Sequence, residues 1–391
     1  MISFNNTEIA FKEKSNQDLK QTKLLFKLIG SPFLVKIGKT ATLLALKLRL
    51  PIQGLIKRTI FRQFCGGENI EECAGRIKEL KDSGIGAILD YSIEGKTAEV
   101  DFNATVDEIM DTLIASEGNK AIPFAVFKVT GISRFGLLEK INDANAELLE
   151  SEKAELARLM ERIEKLAKKS FDTKTPLFFD AEETWIQDGI DRITYALMEK
   201  YNKEKAIIYN TLQIYRHDRL EHLKKQTAIA QAAGYKLGIK LVRGAYMEKE
   251  RDRAEDKKYP SPIQPNKIAT DKDFDDALRF MVDYIDSISF CAGSHNEESN
   301  ALLTQLMQEK GITHDDPRAY FAQLLGMSDH ITYNLAHANY NVAKYVPYGP
   351  ISEVMPYLLR RADENTSVAG QTSRELSLIL QETKRRKTEK K

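Results

Sequence analysis

Apolar residues follow two rhythms along this chain. Between residues 86 and 345, short apolar runs of strand composition alternate with longer stretches of helical character. The runs are Gly86–Tyr91, Pro123–Val129, Leu177–Asp180, Ala206–Asn210, Leu237–Val242, Ile288–Ala292, Tyr320–Gly326 and Val342–Tyr345. Helical material fills 104–117, 135–169, 182–202, 216–234, 271–286, 296–310 and 328–339. Strands that are apolar along their whole length and separated by helices must be buried on both faces, which calls for parallel pairing. Eight such units over about 260 residues predict an α/β fold of the (β/α)8 barrel type. A doubly wound open sheet is the alternative arrangement.

Before the first run the pattern is helical. Residues 1–20 read as polar and frayed, and 20–64 as helices broken at Gly30-Ser31-Pro32 and near Pro51. A further helix is expected over 68–83, starting near Asn69 with Glu71 and Glu72 in its first turn. The chain therefore divides into a helical segment over 1–83, a barrel over 84–380 and a charged tail over 381–391. The tail's KRRKTEKK run suggests disorder.

Composition narrows the function classes. The 391 residues carry a formal net charge of +1, which does not suit a nucleic-acid binder. Cys65, Cys73 and Cys291 form neither a disulfide framework nor a zinc motif, and the histidines show no metal-ligand spacing. No signal or transit layout is evident, and no apolar run reaches the roughly 18 residues of a spanning helix. Charge is nevertheless uneven. From Leu19 to Gly67 there are ten Lys and Arg residues and no Asp or Glu. Such a segment either docks on an anionic membrane surface or simply covers the barrel with its lysines in solvent.

In a barrel the chemistry gathers at the C-terminal ends of the strands. There the chain offers Lys128, then Asp180-Ala181-Glu182, then Asn210 and Gln213. Next come Lys240-Leu241-Val242-Arg243-Gly244-Ala245-Tyr246, then Ser294-His295-Asn296 and Tyr345. Gly244-Ala245 has little side-chain bulk, which suits either a large ligand approaching the backbone or an ordinary βα turn. No G-x-G-x-x-G follows a strand, and no P-loop motif is present. In YGPISEVMPYLLRRADEN, Pro356 is expected within the first turn of a helix beginning around Ser352 to Met355. Tyr357, Arg360, Arg361 and Glu364 then share one face at i, i+3, i+4 and i+7. Paired guanidinium forks suit a planar carboxylate, but the same spacing also describes an exposed helix with an Arg361–Glu364 ion pair.

KLVRGAYMEKERDRA (240–254) and KYVPYGPISEVMPYLLRRADEN (344–365) closely resemble the proline dehydrogenase family. LFFDAEETW (177–185), YNTLQIY (209–215), SHNEES (294–299) and FAQLLGMSDHI (321–331) are similar too, in the family's order. The resemblance, running from about residue 50 to 380, implies a (β/α)8 barrel that binds FAD non-covalently, with a final helix over the barrel mouth. It implies oxidation of L-proline to Δ1-pyrroline-5-carboxylate, with electrons passed to a membrane quinone by a stand-alone enzyme. The motifs are most similar to the stand-alone, mitochondrial-like branch, and with no signal or transit layout evident the expected place is the cytoplasmic side of an inner membrane, peripherally attached. Carried over by position, Asp180 and Lys240 would be catalytic, and Lys128, Arg360 and Arg361 would bind the carboxylate. Leu241, Tyr345 and Tyr357 would wall the substrate ring. Ala181, Gln213, Val242, Arg243, Gly244, Ala245, Ser294, His295 and Glu364 would contact the cofactor. Lys240 departs from the arginine of many bacterial members, supplying charge without a fork. Tyr345 favours proline over hydroxyproline, whose oxidising branch carries a smaller residue there. Competing readings are a hydroxyproline dehydrogenase, a Schiff-base aldolase using Lys128 or Lys240, and a membrane-surface module without chemistry.

Overall fold

The structure is a computed structural model that describes residues 2–48, 52–93, 97–367 and 371–389. Side chains of Pro32, Leu34, 42–47, 362–367 and 371–373 lie outside the description. Eight parallel strands close into a barrel in sequence order: β1 (Gly86–Tyr91), β2 (Phe124–Phe127), β3 (Leu177–Phe179), β4 (Ile208–Gln213), β5 (Leu237–Val242), β6 (Ile288–Gly293), β7 (Ala319–Leu324) and β8 (Val342–Tyr348). Closure is made by β8 pairing with β1 over six residues, from Gly86↔Ala343 to Tyr91↔Tyr348. This excludes the open-sheet alternative.

The strands are apolar throughout because each feeds two cores. Residues of one parity (Leu89, Leu177, Phe179, Ile239, Leu241, Phe321, Val346) pack outward into the layer shared with the helices. Those of the other parity (Ile88, Phe124, Val126, Phe178, Tyr209, Cys291, Ala343) fill the interior. Phe124 stacks on Phe178 with centroids 4.4 Å apart and meets Tyr320 edge-on at 4.8 Å. The interior is thus plugged by rings. Two residues further along β1, β2 and β3 from Ile88, Val126 and Phe178, the same inward register reaches Asp90, Lys128 and Asp180.

One side chain locks the N-terminal end of β4 to its neighbours. Asn202, fully buried at the end of helix Thr184–Tyr201, accepts from the Ile207 and Ile208 amides at 2.9 and 2.8 Å. Its amide donates to the Ile208 and Lys236 carbonyls at 2.8 and 3.0 Å.

Several expectations are corrected. The 135–169 stretch is two helices, Phe135–Asn142 and Glu150–Thr173, separated by a turn in which Asp143 accepts from the Asn145 amide at 2.9 Å. Helix Met247–Lys257 has no counterpart among the expected elements, because it is polar nearly all round and buries only Glu250 and Ala254. The start of the chain is folded, with Phe4, Ala10 and Phe11 buried. Residues 381–388 of the tail expected to be disordered belong to helix Gln371–Thr388, and 390–391 lie outside the described residues. Its arginines have partners the local composition does not reveal. Arg385 and Arg386 pair with the fully buried Glu382, and Arg386 also donates to the Phe11 and Lys14 carbonyls at 2.7 Å. The two chain ends therefore pack together.

Helix Ile351–Ser367 begins a residue before the expected window and holds Pro356 in its second turn. The Glu353 and Val354 amides already bond to the Pro350 carbonyl, so the first turn is complete before the proline is reached. Its apolar face (Ile351, Val354, Met355, Leu358) packs with Ile29, Ile56, Phe61 and Phe64 of the N-terminal helices and with Met327 beyond β7. The N-terminal segment thus backs the last barrel helix.

Asn202→Ala removes four hydrogen bonds and leaves buried backbone groups unpaired. It should destabilise the protein by about 2–4 kcal/mol. Urea unfolding measures this, and a loss below about 0.5 kcal/mol would contradict the lock.

Candidate active site

Asp180 follows β3, and three strands converge on its carboxylate. Lys240 of β5 forms an ion pair with Oδ1. The Tyr345 hydroxyl of β8 donates to Oδ2 at 2.8 Å. Thr211 of β4 lies 3.5 Å from Oδ1. The Asp180 amide donates to the Phe127 carbonyl at 2.9 Å, which joins β2 to the same point. The Lys240 ammonium also stands over the rings of Tyr345 (4.8 Å) and Phe178 (5.4 Å). A pair this deeply placed is costly to open, since either charge left alone would be buried without its partner.

Lys128 is half-buried at the end of β2. Its charge acts on two buried acids, Asp90 and Glu182. Burial raises the Asp90 carboxyl, which Lys128 partly offsets and Asp180 reinforces; Ser92 donates to it. Burial likewise pushes Glu182 up to about 7, against the hydrogen bonds it accepts from Thr130. Asp90, Glu182 and Thr211 were not among the residues assigned roles from sequence. The strand-end rule that points to Lys128 and Asp180 points equally to Asp90, at the end of β1.

A second group lies on the β4–β7 side. Gln213 donates to the Glu182 carbonyl at 2.8 Å and accepts from the Ala245 amide at 3.1 Å. Ala181 is buried beside it. Arg243 divides its donors between Asp271 (2.7 Å), Ser294 (2.8 Å) and Ser299 (2.9 Å). Val242 is half-buried, and a Cβ on Gly293 would come within 3.0 Å of it. Gly244 and Ala245 are exposed. Gly244 has φ +135°, and any Cβ there would strike the Tyr215 ring at 2.5 Å, so glycine is required. His295 contacts Ser328 Oγ through Nδ1 at 2.9 Å and accepts the Leu324 amide at Nε2, 3.4 Å away. Both ring nitrogens are therefore used by the protein. Burial pushes this imidazole down to about 3, helped by the charges of Lys344 and Arg361.

That charge effect brings the last helix into the site. Arg361 is close enough to act on His295, and its guanidinium lies 5.2 Å from the centre of the Tyr357 ring. Tyr357 is buried and acts on Tyr345. Arg360 is half-buried on the same helix. Glu364 shares the helix, but its side chain lies outside the described residues. Leu241 is fully buried with opposite parity to Lys240 and packs in the layer between barrel and helices.

The residues present fit the flavin implied by the resemblance. An exposed strip without side-chain bulk, at Gly244-Ala245, is bordered by the cations Lys240 and Arg243 and by the Ser294 hydroxyl. That donor set suits a planar, hydrogen-bonding, anionic cofactor.

Fold and site together define a (β/α)8-barrel enzyme with a cation-rich mouth between its strand ends and its final barrel helix. The proline dehydrogenase family model matches residues 73–374. A Dictyostelium discoideum relative named mitochondrial proline dehydrogenase 1 is 32% identical, over 97% of this chain and 74% of its own. A Xenopus laevis hydroxyproline dehydrogenase is 30% identical, over 98% of this chain and 90% of its own. Among solved structures, proline utilization A (PutA) from Bdellovibrio bacteriovorus shares the fold, with TM-score 0.72 and 19% identity; the match covers 92% of this chain and 38% of the PutA chain. The chain belongs to the proline dehydrogenase family.

The His295 imidazole should stay neutral from pH 8 down to about pH 4. The unfolded chain takes up that proton near pH 6.5 and the folded protein only near 3. This group's contribution to stability is therefore complete above 6.5 and falls away as pH drops towards 3. Histidine-selective 15N NMR reports it, and titration of His295 near 6.5 would contradict the environment described.

Proposed function

We propose that the protein oxidises L-proline to Δ1-pyrroline-5-carboxylate with FAD as hydride acceptor, in the first step of proline breakdown. The observation that carries this reading is the excess of cations (Lys128, Lys240, Arg360 and Arg361) around the buried Asp180 hub. Of these, Lys240 is paired with Asp180 itself, Lys128 acts on Asp90 and Glu182, and Arg361 acts on His295. A site so biased takes an anion, and two neighbouring guanidinium groups match a carboxylate.

The roles follow from this. Arg360, Arg361 and Lys128 hold the substrate carboxylate. Tyr345 and Tyr357 wall the ring, with Tyr345 kept in place by Asp180. Orientation of this kind can lower a barrier by several kcal/mol, up to ~7–11 in ideal cases. The surrounding positive charge favours the neutral substrate amine that hydride loss requires, and the amine proton leaves to solvent. FAD, when bound, supplies the hydride acceptor. Lys240, Gln213, Ala181 and the Val242–Ala245 strip would lie along it, with Arg243, Ser294, His295 and Glu364 towards its phosphate side. The choice of FAD over FMN rests on the donors at the ends of β5 and β6.

A quinone is the proposed onward acceptor, and an anionic membrane the place where it is met. Helices Asn16–Ile29 and Pro32–Lys47 expose Leu24, Leu28, Phe33 and Ile37 beside exposed Lys20, Lys27 and Lys36. Among the described residues no helix is long and apolar enough to cross a membrane, so the contact proposed is peripheral, on the cytoplasmic side of an inner membrane.

Two other chemistries fit less well. A Schiff-base lysine must be neutral to attack, whereas Lys240 is paired with Asp180. Hydroxyproline would have to place its hydroxyl against the ring wall that Tyr345 fills.

Arg360→Met should raise KM for proline about 10- to 100-fold while the purified protein stays yellow. An unchanged KM would remove Arg360 from the clamp. Sedimentation with vesicles should require anionic lipid and weaken with salt. Binding indifferent to both would contradict the docking surface.

A further inference from the structure

We propose that Glu375, on the C-terminal helix, is a positioning residue that holds the turn after β7 so that Ser328 orients His295 on the cofactor side of the site. The inference rests on the reading of that side as the flavin site. Glu375 lies one residue beyond the segment matched by the family model.

The geometry forms a chain of contacts. Glu375 is 4% exposed, and its Oε1 accepts the Ser328 amide. Ser328 is fully buried at φ 51°, ψ 41°, a left-handed conformation that a serine does not adopt without support. In that conformation its hydroxyl lies 2.9 Å from His295 Nδ1, and the Leu324 amide holds the other ring nitrogen. His295 therefore carries its proton on Nδ1.

The rest of the turn is braced from elsewhere. Gly326, at φ 76°, sits against Gln63, whose amide donates to the Gly326 carbonyl at 2.8 Å. Lys344 donates to the Met327 carbonyl at 2.5 Å and lies 2.9 Å from Asp329, which also faces Lys14 at 3.3 Å. These contacts hold residues 326, 327 and 329, and Glu375 holds the amide between them. Its helix is itself anchored to the element after β6. Arg374 donates to Glu297 at 2.7 and 3.2 Å, and His330 meets the same carboxylate at 3.0 Å. Removing the Glu375 carboxyl takes a buried acceptor away from the Ser328 amide and weakens the left-handed turn, so the turn would relax and release the His295 ring.

The test compares Glu375→Ala, Glu375→Gln and Ser328→Gly in the full chain. The readouts are His295 15N signals in flavin-free protein, assigned with His295→Asn, and FAD affinity by fluorescence titration. Glu375→Ala should change the His295 tautomer signals and weaken FAD binding about tenfold. Glu375→Gln keeps an acceptor oxygen and should restore both. Ser328→Gly permits the left-handed backbone but lacks the hydroxyl, so it should reproduce the loss even if Glu375→Ala fails to fold. Unchanged His295 signals in folded Glu375→Ala and in Ser328→Gly, with only thermal stability lowered, would overturn the proposal. If the signals move but wild-type protein binds no FAD, the positioning holds and the flavin reading fails.

Discussion

Everything at the barrel mouth depends on where the Asp180 carboxylate is held. It is the acceptor for Lys240, Tyr345 and Thr211, and its amide is tied to β2, so β2, β3, β4, β5 and β8 meet at one residue. Closure makes this possible, because an open sheet would separate β8 from β3. The aromatic plug of Phe124, Phe178 and Tyr320 lies beneath it and leaves the polar groups only the strand ends to occupy. Burial then strengthens each charge interaction there relative to water.

The second constraint is the covering of that mouth. Helix Ile351–Ser367 brings Tyr357 and Arg361 to the site from one face while its other face is buried by the N-terminal helices. The N-terminal and C-terminal segments also pack on each other through Arg386 and Glu382. Elements outside the barrel thus support the last barrel helix and the turn after β7.

Much of this was legible in the sequence, for identifiable reasons. Eight strands could be located because burial on both faces leaves a continuous apolar run, and β1 and β5 were delimited to the residue. The end of β4 was cut short because Thr211 and Gln213 are polar yet lie inside, where the site needs them. Strand parity sends Leu241 outward when Lys240 points in. Helix Met247–Lys257 left no apolar period to detect. The composition of the tail suggests disorder because it does not show that Glu382 is buried or that Arg386 reaches carbonyls nearly the whole chain away. Asp90 obeys the same strand-end rule as Lys128 and Asp180. Ser328 and Glu375 gave no local signal, since their roles come from a turn conformation and a contact 47 residues apart.

The central claim is that this mouth holds proline against a bound flavin and removes hydride from it. The most direct measurement is the visible absorbance of the purified protein, recorded anaerobically before and after addition of L-proline. The account predicts oxidised-flavin bands that bleach on addition of proline and return when a quinone is admitted. A flavin spectrum that proline leaves unchanged, or purified protein that cannot be loaded with flavin at all, would contradict it.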